Sequence, residues 1–159
     1  MVRTPYSYPA TLERDDDGRY VVRFPDLPEA LTDGADEEEA IAEAADCLSE
    51  ALASRIVDGE EIPSPNFQLG RYLVSPDPTI ALKAALYSAL RRRDMTVADL
   101  ADRLGLGDWH QAARLIDPKR SSKLTRLAAA LEALGCTIEL RSTNMWCPKT
   151  RHARSFSRA

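Results

Sequence analysis

The chain has 159 residues, 44% of them apolar and 29% charged, which is the balance of a folded soluble protein and excludes disordered, collagenous and membrane-spanning classes. Its net charge of -4 hides two opposed parts: residues 1 to 75 hold 6 Lys and Arg against 17 Asp and Glu, and residues 76 to 159 hold 15 against 8. A front part of charge -11 repels nucleic acid and attracts basic proteins, whereas a rear part of +7 can neutralise phosphates.

The first predicted element is a strand with one buried side, in which Tyr6, Tyr8, Ala10 and Leu12 alternate with Ser7, Thr11 and Glu13. Asp15-Asp16-Asp17-Gly18 supplies a hairpin turn. The returning strand puts Tyr20, Val22 and Phe24 on one face, and Pro25 and Pro28 end it. A short third strand follows over 30–33. Asp36-Glu37-Glu38-Glu39 has the form of a capping box, with Asp36 accepting from helix N–H groups and Glu39 reaching back to the cap. The helix behind it carries an apolar stripe of Ile41, Ala44, Leu48, Ala51, Leu52 and Ile56, and Asp58-Gly59 stops it. Its acidic face is Glu39, Glu43, Asp46 and Glu50. After the loop Ile62-Pro63-Ser64-Pro65-Asn66, residues 69–74 form a fourth strand, so the order is β-β-β-α-β.

Ser75-Pro76-Asp77-Pro78 marks a boundary, because two prolines stiffen the chain and remove donors. The period then becomes helical. Ile80, Leu82, Ala85, Leu86 and Leu90 define one helix that ends at Arg91-Arg92-Arg93, cations beside a negative helix end. Thr96 with Asp99 opens the next, Asp108 caps a third carrying Ala112, Leu115 and Ile116, and 123–134 is a fourth with Leu124, Leu127, Leu131 and Leu134 inward. Residues 137–141 form a short strand with no partner of its own, which favours a homodimer. The basic stretch from Ser142 to Ala159 has no period and is expected to be disordered. The expected division is thus 1–75, 76–141 and a tail of 142–159.

Cys47, Cys136 and Cys147 are odd in number, with no C-x-x-C pair. Together with the lack of an apolar signal region, this points to a cytoplasmic setting. No spacing of His, Cys or carboxylates forms a metal set, and no Ser/His/Asp or Cys/His pattern appears, so neither cofactor nor catalytic residue is expected.

Thr96 to Ile116 carries the strongest motif. A helix-turn-helix needs a small residue where the helices cross, a Gly at the turn and apolar locking residues. Ala101, Gly105, Leu104, Leu106, Ala112 and Leu115 meet those demands. The segment resembles the Xre/lambda-repressor-like class, except that Ala112 and Leu115 sit one residue farther from Gly105 than that class commonly has. DNA-facing residues are expected to be Thr96, Trp109, His110, Gln111, Ala113 and Arg114, with Lys119, Arg120, Ser121, Ser122 and Lys123 at backbone phosphates.

Tyr8-Pro-Ala10, Asp17-Gly18, Tyr20-Val-Val-Arg-Phe-Pro-Asp-Leu-Pro28, Thr32-Asp-Gly34, Glu37-Glu-Glu-Ala40 and Ile62-Pro-Ser-Pro65 together resemble the HicB antitoxin family over residues 6 to 75. The family's usual Gly after Phe-Pro-Asp-Leu-Pro is Glu29 here, which implies a local change in that loop. The resemblance implies an α+β protein: a partial RNase H-like domain joined to an all-α helix-turn-helix domain. It also implies a partner, the small mRNA-cleaving toxin HicA, and repression of the protein's own operon. Tyr20, Phe24, Asp26, Glu39 and Glu43 are the expected toxin contacts. Two other readings stand beside this one: a regulator of the same build without a toxin, and a metal-dependent nuclease using carboxylates among Asp15, Asp16, Asp17, Asp26 and Glu37 to Glu39.

Overall fold

The computed structural model describes residues 6–138. Four strands, β1 (Tyr8–Arg14), β2 (Tyr20–Arg23), β3 (Leu31–Gly34) and β4 (Tyr72–Val74), form an antiparallel sheet of order β3-β2-β1-β4. Helix α1 (Glu37–Asp58) lies against one face of it. Four further helices follow: α2 (Pro78–Arg92), α3 (Val97–Arg103), α4 (Trp109–Ile116) and α5 (Leu124–Ala133).

The hairpin forms where Asp15 and Gly18 stand. Gly18 has φ +84, a region L side chains avoid, and the Asp15 carboxylate accepts from Arg19 N at 2.7 Å. The alternation of β1 and β2 sends Tyr8, Ala10, Val22 and Phe24 to the helix side, where they meet Ala40, Ala44, Leu48 and Leu52. Burying each large apolar side chain contributes about 1.5–3 kcal/mol. α1 begins as its cap residue dictates, with Asp36 Oδ1 accepting from Glu39 N at 2.8 Å. The reciprocal bond differs from the expected capping box. Glu39 Oε2 accepts from Ala35 N at 2.6 Å, one residue beyond the cap, because the close approach of Gly34 to Ala40 turns the chain there. Gly59, at φ 70, ends the helix. The expected stripe is buried at Ala44, Leu48, Ala51, Leu52 and Ile56; only at its start does Ala40 take the buried place, with Ile41 half-buried.

β4 is shorter than the expected 69–74. A Cβ at Gly70 would stand 2.7 Å from the backbone N and O of Ala10, so the chain crosses β1 too closely there to pair as a ladder. Tyr6 leaves the sheet and packs against the second core, its hydroxyl donating to Ala84 O at 3.3 Å.

That second core is built by Ala84, Leu86 and Leu90 of α2, Leu100 and Ala101 of α3, Ala112 and Leu115 of α4, and Leu127 and Leu131 of α5. Ile56, on the last turn of α1, belongs to it as well. In α2 the expected Leu86 and Leu90 are buried, but Lys83, Ala84 and Ala89 are buried beside them while the expected Ile80, Leu82 and Ala85 are only half-buried. The helix is enclosed by α1, α4 and α5, and its small residues are what let them approach. Leu124, expected inward, is half exposed because the first turn of α5 precedes the packed part of the helix. Thr137 and Ile138 are not in a strand, and the rest of the expected 137–141 strand and the tail lie outside the described residues.

Candidate functional site

The turn between α3 and α4 is made by the residues that the local chemistry requires. Gly105 has φ 65; its N–H bonds Asp102 O at 3.1 Å, and Leu106 N bonds Ala101 O at 2.9 Å. This left-handed cap closes α3 and turns the chain back toward its own helix. Leu100 and Ala101 are buried against Ala112, Leu115 and Ile116. Residues 104–108 make the connection, and Asp108 accepts from His110 N at 2.9 Å to start α4.

With Ala112, Leu115 and Ile116 inward, α4 presents Trp109, His110, Gln111 and Arg114 to solvent and keeps Ala113 half-buried. Trp109 is 53% exposed and its ring stacks on His110, centroids 3.9 Å apart. His110 Nδ1 lies 2.7 Å from Asp108 Oδ1, so one carboxylate both caps the helix and orients the imidazole. Thr96 is engaged at the other end of the motif: its hydroxyl and Asp99 exchange bonds of 2.7 and 3.2 Å, and its N–H bonds Asp99 Oδ2 at 2.6 Å. Beyond α4 come Lys119, Arg120, Ser121 and Lys123, all exposed, and the half-buried Ser122. The exposed α4 side chains and this basic loop follow one another along the chain, with Asp108 and Asp117 as the acidic groups among them.

Both capping carboxylates titrate below an ordinary aspartate. Asp99 is held down by the Thr96 hydroxyl and backbone, and Asp108 by the backbone N–H and then the side chain of His110. A folded pKa below the unfolded one means stabilisation that is complete above the ordinary value of 3.8 and is lost as pH falls through the lower folded value. Acidification below about pH 4 is therefore expected to weaken the caps of α3 and α4, the latter read by the fluorescence of Trp109 in a Trp146→Phe background. Asp108→Asn should shrink that step; an acid transition of unchanged size and midpoint in this variant would show that the cap is not its source.

The front part places its expected contacts differently. Phe24 is 1% exposed and is a core residue, because the alternation that exposes Arg23 turns the Phe24 ring toward α1. This corrects its assignment as a contact. Tyr20 is half-buried beneath the Arg14 guanidinium, 5.9 Å from its ring centroid. Asp26 accepts from Asn66 N at 2.8 Å and ties the two proline-rich loops together. Glu39 serves the start of α1, and Glu43 is exposed on its outer face. Glu29, the departure from the HicB pattern, meets Arg55 in a two-pronged ion pair with bonds of 2.5 and 3.1 Å, and Arg55 also donates to Glu61 O at 2.6 Å. The extra carboxylate thus pins its loop to the end of α1. The Arg55 guanidinium holds the Glu29 carboxyl below its usual range.

The carboxylates considered for nuclease chemistry are dispersed among such local bonds: Asp15 on Arg19 N, Asp26 on Asn66 N, and Glu37 on the Tyr72 hydroxyl at 3.0 Å. Among the described residues no three His, Cys, Asp or Glu side chains gather as metal ligands, and no helix is long and apolar enough to cross a membrane.

One residue that pattern reading missed is Lys83. It has no exposed surface, and its Nζ lies 2.7 Å from Asp117 O, 2.9 Å from Arg120 O, 3.0 Å from Ser122 Oγ and 3.4 Å from Arg114 O. Its partners are 31 to 39 residues away, which no local spacing reveals. A lysine between Leu82 and Ala84 in an apolar helix was the only available signal.

Known proteins resemble the chain in sequence. Residues 7–85 match the family described as HicB-like antitoxin of bacterial toxin-antitoxin systems. Antitoxin HicB 1 of Photorhabdus laumondii is 35% identical over 133 residues, covering 84% of this chain and 84% of its own. Antitoxin HicB 2 of the same organism is 38% identical over 133 residues, covering 84% of this chain and 94% of its own. Antitoxin HicB of Escherichia coli is 32% identical over 134 residues, with 84% and 96% covered.

Proposed function

The chain belongs to the HicB antitoxin family, and from that premise we propose that it is a two-sided, non-enzymatic regulator acting in the cytoplasm. Its sheet-and-α1 part binds and inhibits a HicA-type mRNA-cleaving toxin, and its α3–α4 pair binds operator DNA as a helix-turn-helix. The front part is the proposed partial RNase H-like domain, and the protein acts as a homodimer. Two α4 helices would then meet half-sites about one helical turn apart, predicting a palindromic operator.

The observation that carries the DNA side of this reading is the outer face of α4: Trp109, His110, Gln111 and Arg114 stand clear of the core, immediately followed by Lys119, Arg120 and Lys123. Gln and Arg can pair bidentately with adenine and guanine, and the lysines and Arg120 suit phosphates. The protein side is supported by the family relationship and by the charge of the front part. Shape and apolar contact supply most of the affinity, and opposite charge speeds the encounter.

This reading predicts a small basic protein encoded beside the gene, and its test uses the full chain with that protein and with DNA from its own promoter. Purified chain should suppress RNA cleavage by the neighbouring protein and should bind the promoter duplex more tightly than unrelated DNA, with affinity falling steeply as salt rises. RNA cleavage undiminished at excess chain would remove the antitoxin assignment. Equal affinity for promoter and unrelated duplexes would remove the operator assignment.

A further inference from the structure

We propose that Lys83 is a positioning residue for DNA: its buried ammonium gathers the C-terminal end of α4 and the following loop, holding Lys119 and Arg120 where phosphates lie. The inference rests on the operator-binding reading above and names a device within it.

A lysine is almost never fully buried unless its charge is met. Here an ammonium with three N–H groups faces four oxygens, those of Arg114, Asp117, Arg120 and Ser122, so one N–H must be shared between two acceptors. The longest contact, to Arg114 O, is also reached by Ser122 Oγ at 3.4 Å. Three of the four acceptors are backbone carbonyls. Two of them, Arg114 O and Asp117 O, lie at the C-terminal end of α4, where the helix dipole is negative and a cation is favoured. The other two, Arg120 O and Ser122 Oγ, belong to the loop, so one ammonium joins helix end and loop to α2.

The loop has its own short-range order, which Lys83 completes. Asp117 Oδ1 accepts from Lys119 N at 2.9 Å, and Asp117 O accepts from Arg120 N at 3.2 Å as well as from Lys83. The ion pair between Arg120 and Asp117 is 3.8 Å long and mostly exposed, too weak to fix the loop alone. Fixing the backbone at Arg120 while leaving the Lys119 and Arg120 side chains exposed is what phosphate contacts require, because each ordered contact made in advance avoids an entropy cost on binding. Burial lowers the pKa of Lys83, and the Asp117 carboxylate opposes that shift. Four oxygens arranged around Nζ favour the charged form, since a neutral amine would bring only two donors.

The full-length chain, its promoter duplex and a salt series from about 50 to 200 mM provide the test, because each neutralised phosphate adds about 0.9 to the slope of log affinity against log salt. Lys119→Ala with Arg120→Ala should flatten the slope by about two such increments per protomer. Lys83→Met, which keeps both surface cations, should flatten it nearly as much, and adding it to the double variant should change the slope little further. That non-additivity separates positioning from general loss of stability. In the wild-type chain, 15N-labelled Lys83 should also show a slowly exchanging ammonium signal that Ser122→Ala perturbs, a measurement available even should Lys83→Met fail to fold. A wild-type slope in Lys83→Met, a further full loss in the triple variant, or no protected ammonium in the wild type would each overturn the inference. A wild-type chain with no preference for its promoter would instead overturn the operator reading, and this proposal with it.

Discussion

Replacing Gln111 and Arg114 together by alanine is expected to abolish specific operator binding while leaving toxin neutralisation and melting temperature close to wild type. Both side chains are exposed and three residues apart on α4, so they point the same way from one helix. Neither forms a side-chain hydrogen bond among the described residues, so their removal leaves no buried group unpaired and should alter stability by less than about 0.5 kcal/mol. A bidentate contact to a base discriminates by about 1–3 kcal/mol, so losing two should weaken promoter binding by about a hundredfold or more. The loop with Lys119 and Arg120 is untouched, and weak, sequence-independent binding should persist with much of its salt dependence. Anisotropy titrations on promoter and unrelated duplexes measure both quantities. An unchanged preference for the promoter would mean that α4 does not read bases.

The same contrast between what α4 shows and what it hides explains how much of the molecule was legible in advance. Elements bounded by local chemistry were readable: Asp36 and Gly59 delimit α1, Asp15 to Gly18 make the hairpin, and Gly105 and Asp108 frame the turn before α4. The residues of α4 that lie outside follow from the requirement that Ala112, Leu115 and Ile116 go inward. Features that depend on distant partners were not readable. Lys83 looks like a surface lysine until the carbonyls at the end of α4 are placed around it. Leu124 has core spacing on a helix turn that the core does not reach. Gly34 and Gly70 gave no sign of tight crossing, because a glycine that permits contact looks like one that makes a turn.

Gly34 leads to the second large effect, a loss of stability on Gly34→Ala of about 3 kcal/mol, the upper range for overpacking. The residue ends β3, pairs with Tyr20 across the sheet and has no left-handed φ, so backbone conformation does not demand glycine there. Space does. A Cβ would lie 2.4 Å from the N and 2.7 Å from the Cα of Ala40, atoms of the first turn of α1 that cannot rotate aside as a side chain could. Ala40 N is itself bonded to Asp36 O at 3.0 Å, so moving it strains the same turn that Asp36 and Glu39 hold in place. For a chain of this size the loss corresponds to a fall in Tm on the order of 10 °C. Gly107→Ala makes the matched comparison: a Cβ there meets nothing within 4 Å and φ is not positive, so the change should be neutral or should raise stability by about 0.4–1 kcal/mol through the unfolded chain. Thermal melts of the two variants side by side distinguish contact from conformation. If Gly34→Ala melts with the wild type, β3 and α1 are not in backbone contact, and the sheet-to-helix packing on which the proposed toxin-binding part depends is differently arranged.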